Sequence, residues 1–342
     1  MAREAVYQQT DPETATEAMM PQEQDGSLRP RRMDEMVGQR DVIERLKIAI
    51  DAAQGRGEPL GHILFDGPPG LGKTTFATVI PAEMGSHVHM ANGAGLKAPK
   101  DLLPYLTNLA EGDVLFIDEI HRVPKAVEEY LYTAMEDYRI DIVLGDGVSA
   151  RTLNYELRPF TLIGATTRAG MLSAPLRDRF QIREHLGWYT EEELCEIVRR
   201  NCVKLKVPVD DGAAQVVAAR SRRTPRLANN RLLWIRDYSQ SKADGKLDAT
   251  IAKMALDMIG IDQLGLDKQD RGYLDTLIRI FVGGPTGLDA IAHTMNVSSD
   301  TLEDEVEPFL LRSELIVRTR RGRIATSKAY QHMKLPPPEA SA

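Results

Sequence analysis

Eight residues in the first quarter of the chain have the types and the spacing of a phosphate-binding loop. They are Gly67-Pro68-Pro69-Gly70-Leu71-Gly72-Lys73-Thr74, which fit the pattern G-x-x-x-x-G-K-[ST]. In such a loop the backbone N–H groups approach the phosphates, Lys73 would reach the β- and γ-phosphates, and the Thr74 hydroxyl would bind Mg²⁺. An apolar run before the loop and a helical pattern after it supply the required context. A glycine-rich turn that matches by chance is therefore the weaker alternative.

Two carboxylates follow a second apolar run, Val114-Leu115-Phe116-Ile117. Because ligands of open α/β sheets bind at the carboxyl ends of the strands, Asp118 and Glu119 are expected beside the phosphates. Asp118 would hold Mg²⁺ through its water shell, and Glu119 would orient and polarise the attacking water as a general base. Two acids after a strand are more often a solvated strand end, but here they follow a phosphate-binding loop at an ordinary distance.

The order of apolar runs and helical patterns predicts an α/β fold. Short apolar runs near 62–66, 88–91, 114–117 and 161–165 alternate with helical stretches, which is typical of a parallel sheet covered on both faces. One segment departs from this order. Residues 140–144 and 153–157 alternate apolar with polar types around Gly145-Asp146-Gly147, which predicts an inserted β-hairpin. From residue 190 to 261 the pattern is almost entirely helical.

The composition excludes several classes of protein. The chain has 342 residues, a formal net charge of −7 and 42% hydrophobic residues, which is ordinary for a globular protein. No run approaches the roughly 20 apolar residues of a membrane span, and the N-terminus lacks the order of a secretory signal. Two cysteines cannot build a disulfide framework. We therefore expect a cytoplasmic protein of two or three domains, whose contacts with nucleic acid must come from a local basic patch.

Residues 270–334 have the pattern of a winged helix-turn-helix. The helix in the recognition position, 300–311, contains five carboxylates. Phosphate would repel them, so we predict that this helix does not enter a DNA groove. Basic charge lies instead in the hairpin that follows, at Arg318, Arg320, Arg321 and Arg323. Such a wing could grip the DNA backbone without reading sequence; a basic turn kept only for solubility is the alternative.

Taken together, three motifs resemble those of AAA+ ATPases: the phosphate-binding loop, Asp118-Glu119-Ile120-His121 and Gly164-Ala165-Thr166-Thr167-Arg168. Longer stretches narrow the resemblance to the bacterial ATPases that drive branch migration of Holliday junctions during recombinational DNA repair. These stretches are Leu28-Arg29-Pro30, Glu136-Asp137-Tyr138, Pro175-Leu176-Arg177-Asp178-Arg179-Phe180, Thr224-Pro225-Arg226 and Gly322-Arg323. The resemblance implies an AAA+ P-loop parallel-sheet domain, a small helical lid domain and a C-terminal winged-helix domain.

The resemblance also implies roles for single residues, with ATP and Mg²⁺ as ligands. Thr167 is similar to the sensor that reads the γ-phosphate, and Arg226 to the lid arginine that contacts the same nucleotide. Arg179 is similar to the arginine finger that acts in a neighbouring subunit's site, and Arg177 is the competing candidate. The complete implied nucleotide-binding set is Leu28, Arg29, Gly70, Gly72, Lys73, Thr74, Thr75, Glu136, Asp137, Tyr138, Tyr189 and Arg226.

Domain limits and partners follow from the same resemblance. Residues 1–27 are rich in Gln, Glu, Thr and Pro without an apolar period, which predicts a disordered acidic tail. The resemblance covers residues 28–334 and implies an ATPase domain (28–189), a lid (190–262) and a winged-helix head (263–334), which leaves a second disordered tail (335–342). The hairpin 140–157 resembles the one that docks the junction-recognising protein RuvA, with Ile140, Ile142 and Leu144 exposed on one face; a hairpin packed on its own domain is the alternative. Four-way junction and duplex DNA, the junction resolvase RuvC and five further copies of the chain in a hexamer are the other implied partners.

Two other functions fit parts of the sequence. A different AAA+ machine, such as a clamp-loader subunit, would lack the docking hairpin and the C-terminal wing. A nucleotide-switched DNA-binding regulator would barely hydrolyse ATP, and the intact Lys73, Asp118, Glu119 and Arg179 argue against it.

Overall fold

The computed structural model describes residues 28–144 and 151–336. The predicted N-terminal tail, the hairpin turn 145–147 and residues 337–342 of the predicted C-terminal tail lie outside the described residues. The strands are β1 (Ile63–Asp66), β2 (Val88–Asn92), β3 (Val114–Asp118), β4 (Arg139–Leu144), β5 (Arg151–Glu156), β6 (Thr161–Thr166), β7 (Ile182–His185), β8 (Ile316–Thr319) and β9 (Gly322–Ala325). The helices of the ATPase domain are Arg40–Arg56, Lys73–Met84, Pro99–Thr107, Lys125–Glu136 and Ala174–Asp178.

A five-stranded parallel sheet in the order β2-β3-β6-β1-β7 forms the centre of the ATPase domain. Its inner strands are apolar at successive positions because both faces are covered. In β1, Ile63 and Phe65 enter one hydrophobic core while Leu64 enters the other. The same alternation holds in β3 and β6, as the period of two in a strand requires. The prediction of a parallel sheet between helices is confirmed.

One edge strand was absent from the prediction. β7 reads Ile182-Arg183-Glu184-His185 and pairs with β1. Two of its residues are exposed, so it has no continuous apolar run. It is nevertheless anchored, because the buried Glu184 carboxylate accepts hydrogen bonds from Nε and Nη2 of Arg45 on helix Arg40–Arg56.

The lid and the head are built from the remaining elements. Lid helices Glu191–Leu205, Asp211–Ala219, Pro225–Lys242 and Ala249–Met258 share a core with one face of the sheet. The head has a core of its own, around Tyr273, Leu277 and Leu310. It comprises helices Lys268–Asp275 and Leu288–Met295, a helical segment 299–312, the hairpin β8–β9 and helix Ser327–His332. The predicted winged-helix arrangement is confirmed, and no helix among the described residues is long and apolar enough to cross a membrane.

Candidate active site

The phosphate-binding loop connects β1 to the N-terminus of helix Lys73–Met84. Gly70 and Gly72 have φ of +79° and +104°, which L side chains rarely adopt. The helix begins directly after Gly72, so its free N–H groups and the positive end of its dipole point out of the loop. The sequence motif and the backbone conformation therefore both indicate that this helix N-terminus binds an anion.

Lys73 is the buried cation of this loop. Its Nζ donates to the carbonyls of Gly67 at 2.7 Å and Pro68 at 2.9 Å, and the residue is 7% exposed. Burial lowers the pKa of Lys73 to about 8, against the opposing charges of Glu119 and Asp118. An anion bound in the loop would favour the charged ammonium, so the side chain is placed for phosphate.

Asp118 and Glu119 emerge at the carboxyl end of β3, as predicted. Asp118 Oδ1 accepts a hydrogen bond from the backbone N–H of Glu119 at 2.9 Å. The Glu119 backbone is left-handed, with φ of +50°, a conformation that non-glycine residues hold at a cost and that is common at functional sites. Gly93 makes room for it, because a Cβ at position 93 would lie 2.4 Å from the Glu119 carbonyl oxygen.

His121 connects this acid pair to the neighbouring strand. Its Nε2 lies 3.3 Å from Glu119 Oε2, and its Nδ1 lies 2.9 Å from Thr166 Oγ1 at the end of β6. Thr166 Oγ1 already accepts the backbone N–H of Arg168 at 2.9 Å. No acceptor for the Thr166 hydroxyl other than Nδ1 is found among the described residues, so we assign the hydroxyl proton to Nδ1 and the imidazole proton to Nε2, which faces Glu119. Burial, followed by the charge of Arg168, lowers the pKa of His121, which favours this neutral form.

Thr167 supplies a hydroxyl that the fold leaves unused. Its Oγ1 is buried and has no hydrogen-bond partner among the described residues, and the residue lines the same cavity as Lys73 and Glu119. Buried hydroxyls are normally paired, so an unpartnered one in a cavity wall indicates that a ligand or an ordered water completes it.

A cavity of about 790 Å³ brings most of the predicted site together. The predicted residues that line it are Leu28, Arg29, Gly70, Gly72, Lys73, Thr74, Thr75, Asp118, Glu119, Thr167, Tyr189 and Arg226. The lid contributes directly, since the backbone N–H of Arg226 donates to the Gly70 carbonyl at 3.4 Å. Tyr189 donates its buried hydroxyl to the Leu71 carbonyl at 3.4 Å.

Part of the cavity wall was not predicted. Asn201, on lid helix Glu191–Leu205, donates from Nδ2 to Asn229 Oδ1 at 2.7 Å, and both residues line the cavity. Lys204 on the same helix donates to the carbonyls of Leu28 and Arg29 at 3.3 and 3.4 Å. The amphipathic pattern of this helix identifies its polar side, but no local signal shows that this side faces a nucleotide cavity.

Three residues of the predicted nucleotide set do not lie at the cavity of their own chain. The Tyr138 ring packs edge-on against Phe160 in the second core, with 5.9 Å between centroids. Asp137 pairs with Arg139 at 3.2 Å, and Glu136 pairs with Arg179 at 2.9 Å. Glu136 is the last residue of helix Lys125–Glu136, and Asp137 and Tyr138 follow it.

The two arginine-finger candidates are also outside their own chain's cavity. Arg179 lies over the Tyr132 ring, 4.4 Å from its centroid, and donates from Nη1 to the Pro175 carbonyl at 2.8 Å. Arg179 Nε is buried without a hydrogen-bond partner among the described residues. Arg177 and Arg179 are both half-buried.

The structure corrects the predicted exposure of the apolar residues in β4 of the hairpin. Ile140 is fully buried in the second core, where helix Lys125–Glu136 packs against β4, and Ile142 is half-buried against the same core. Leu144 is the last described residue of β4. The exposed apolar residues lie on the partner strand: Leu153 is 48% and Tyr155 38% exposed. Leu153 is paired with Ile142, so the two share a face of the hairpin.

The predicted DNA-binding arginines divide into two pairs. Arg318 and Arg323 both hydrogen-bond the fully buried Glu307, with 2.9 Å between Arg323 Nε and Glu307 Oε1. Arg320 and Arg321 are exposed at the turn between β8 and β9. Glu307 therefore connects both strands of the hairpin to the helical segment 299–312, while Arg320 and Arg321 are exposed at the turn.

The residues present fit a magnesium nucleotide. Hydroxyl and carboxylate oxygens are the ligands that Mg²⁺ prefers, and Thr74 and Asp118 place one of each at the loop end of the cavity. The unpartnered Thr167 hydroxyl and the buried Lys73 ammonium are the groups that a triphosphate would satisfy.

Three family models together match nearly the whole described chain. The Holliday junction DNA helicase RuvB P-loop domain matches residues 28–186, the RuvB AAA lid domain 189–262, and the RuvB C-terminal winged helix domain 263–334.

Known proteins are similar to this chain over 90% or more of their own length. The chain is 72% identical to the Holliday junction branch migration complex subunit RuvB of Rhodopirellula baltica, over 99% of this chain and 98% of that protein. It is 50% identical to the protein of the same name from Kosmotoga olearia, over 90% of each. The solved structure of the Thermotoga maritima RuvB Holliday junction branch migration motor superposes with a TM-score of 0.83 at 45% identity, covering 91% of this chain and 99% of that one.

Proposed function

The chain belongs to the RuvB family of AAA+ P-loop ATPases, and we propose from this that it hydrolyses ATP to drive branch migration of Holliday junctions. The observation that carries the proposal is the convergence of Lys73, Glu119 and the unpartnered Thr167 hydroxyl on one cavity. Family membership decides against a clamp-loader subunit and a nucleotide-switched regulator.

In the proposed mechanism each residue acts on the phosphates or on the attacking water. Mg²⁺, held by Thr74 and Asp118, would neutralise charge on the β- and γ-phosphates. Lys73 and the loop N–H groups bind the same oxygens. Glu119 accepts the proton of the water that attacks the γ-phosphorus, with His121 holding its other carboxylate oxygen, and the products are ADP and inorganic phosphate.

The charge that develops in the transition state needs a further cation. Arg179 and its competitor Arg177 lie outside their own chain's cavity, which supports a site completed by a neighbouring subunit. Glu136 contacts Arg179 in space at 2.9 Å, and Asp137 and Tyr138 follow it in the chain, so all three would reach the nucleotide from that same neighbour. A homohexameric ring would give every cavity such a neighbour.

RuvA would dock on the apolar face of the hairpin, and the head would grip duplex DNA with Arg320 and Arg321 at the tip of its wing. RuvC would act on the same junction. We further propose three domains with the limits 28–189, 190–262 and 263–334, and a tail at each end. We also propose a cytoplasmic location.

A synthetic four-way junction tests the function. With RuvA, ATP and Mg²⁺, the wild-type protein should dissociate the junction into duplex arms, whereas the Lys73→Ala variant should not. Failure of the wild-type protein under these conditions, while it still hydrolyses ATP, would contradict the proposed role at junctions.

A further inference from the structure

The guanidinium of Arg168, which follows the sensor Thr167, is bound by the acidic helix of the head. Its Nε lies 2.8 Å from Asp304 Oδ1, and its Nη2 lies 3.2 Å from Asp300 Oδ1 and 3.4 Å from Glu303 Oε2. We call these four residues the head latch. The Arg168 side chain is 22% exposed, so the contact is partly shielded from water.

The head latch gives the acidic helix a use other than DNA binding. Its carboxylates would be repelled by phosphate, and three of them instead surround one guanidinium that is 132 to 136 residues away in the chain. A single exposed ion pair contributes little to stability, but several charges arranged around one planar donor form a network with a defined geometry.

Arg168 is also bound to the catalytic side of the domain, through its backbone. Its N–H donates to Thr166 Oγ1 at 2.9 Å, and that hydroxyl lies 2.9 Å from His121 Nδ1. His121 in turn faces Glu119 at 3.3 Å. A shift of Arg168 would therefore change both the position of the Thr167 hydroxyl and the hydrogen bonds that orient Glu119.

We propose that Arg168 is a positioning residue through which the winged-helix head controls ATP hydrolysis, with the head latch as the point of contact. The inference rests on the proposed ATPase function. Docking of the head holds the chain Arg168–Thr166–His121–Glu119 in the hydrolytic arrangement. Because coupling between two sites is reciprocal, a change at the γ-phosphate would also change the affinity of the ATPase domain for the head.

A double-mutant cycle in the full-length protein tests this coupling. The variants are Arg168→Gln, Asp304→Asn and the two combined, with ATPase kcat and KM measured with and without duplex DNA. Each single variant should lower kcat on the order of tenfold, as expected when catalytic groups are misplaced, with KM for ATP within about twofold. The combined variant should be no slower than either one.

Matched controls separate the latch from a general charge effect. Arg279 and Asp275 form an ion pair at 2.6 Å between two exposed side chains within the head, so Arg279→Gln and Asp275→Asn repeat the charge changes outside the latch. Asp300→Asn alters a latch side chain that is 81% exposed, where misfolding is not a concern. It should lower kcat in the same direction as Asp304→Asn.

The outcomes are distinguishable. If the wild-type protein shows no DNA-dependent ATPase activity, the proposed function fails and the latch with it. If the wild type is active but the kcat values of Asp300→Asn and Asp304→Asn equal that of the control Asp275→Asn, the positioning role of the head latch is refuted while the proposed function stands. Additive effects in the double variant, or a kcat that rises when the latch is broken, would also overturn the positioning role.

Discussion

His121 Nε2 faces Glu119 Oε2 at 3.3 Å, while the opposite ring nitrogen is held by Thr166. One oxygen of the carboxylate is thereby fixed, and the other remains for the attacking water. This relationship assigns His121 a supporting role, because Nε2 already carries a proton and Nδ1 is occupied by the hydrogen bond from Thr166.

His121→Ala should therefore lower kcat by about tenfold with little change in KM for ATP, because it disturbs a proton acceptor and not phosphate binding. Burial, followed by the charge of Asp118, raises the pKa of Glu119, and loss of the imidazole donor should raise it further. Activity requires the deprotonated carboxylate, so kcat falls as the pH drops through this pKa. The acid limb of the pH–kcat profile should move to higher pH in the variant.

The profile distinguishes positioning from a structural defect. His293→Ala, an exposed histidine in the head, is the matched control and should keep the wild-type profile. His121→Gln retains an N–H donor and should recover part of the loss. An unshifted acid limb in His121→Ala would contradict the supporting role.

The buried Lys73 predicts a pH dependence of ATP binding. Its pKa is lowered to about 8 by burial, and the charged form is the one that binds phosphate. Below that pKa the ammonium is already charged; above it, binding must take up a proton. The affinity for ATP should thus decrease as the pH rises above 8.

Calorimetry in buffers of different ionisation enthalpy measures the proton uptake, and Lys73→Arg, which remains charged, should show much less of it. Equal proton uptake by both proteins would contradict this account.

The identity of the arginine finger can be decided by mixing subunits. Arg179→Ala subunits keep an intact phosphate-binding loop, and Lys73→Ala subunits keep Arg179. If the site is shared, each variant alone should be nearly inactive while mixtures regain ATPase activity. The same experiment with Arg177→Ala tests the competing candidate. The role would pass to Arg177 on the following result. The mixture of Arg179→Ala and Lys73→Ala subunits shows no hydrolysis, and activity is recovered only in the mixture that contains Arg177→Ala subunits.

The exposed face of the hairpin predicts how RuvA docks. Leu153 is 48% exposed, so Leu153→Asp should weaken RuvA binding at least about tenfold, as at an apolar hot spot, without lowering the melting temperature. Ile48→Asp, at an exposed apolar side chain on helix Arg40–Arg56, is the control. Affinity measured by surface plasmon resonance should fall only for Leu153→Asp; an equal response of the two variants would argue against this face.

The sequence was most informative where one local pattern determines the structure. The inner strands follow from apolar runs, and the phosphate-binding loop from glycines that adopt positive φ. Ile140 shows the limit of such arguments. The sequence of β4 alternates apolar with polar residues whether its apolar side faces solvent or helix Lys125–Glu136. Only the tertiary packing of the helix against the strand makes Ile140 buried. The Asn201–Asn229 pair and the head latch were missed for the same reason, since their partners are far apart in the chain.

Glu307 determines the shape of the basic wing. Although burial opposes ionisation, hydrogen bonds from Arg323 and Tyr273 and the charge of Arg318 keep the pKa of Glu307 below its usual range. Glu307→Gln should lower the free energy of unfolding of the head by about 3 kcal/mol, because it leaves the largely buried Arg323 guanidinium without its charged partner. Arg318 contributes little to this loss, since its side chain is 41% exposed and it also pairs with Glu303. A lowered carboxylate pKa stabilises the fold above the unfolded pKa, and this contribution is lost as the pH falls through the folded value. The difference between wild type and variant, measured by urea unfolding, should therefore shrink in acid.

The same variant separates wing geometry from net charge in DNA binding. Removing a negative charge beside the wing should by itself strengthen binding to phosphate. If Glu307 positions the arginines, Glu307→Gln should instead bind duplex DNA more weakly than wild type. Glu305→Gln makes an identical charge change at an exposed position on the same helical segment and should bind as well as or better than wild type. Fluorescence anisotropy with a labelled duplex at two salt concentrations measures both variants, and tighter binding by Glu307→Gln would show that charge, not the anchored hairpin, governs the contact.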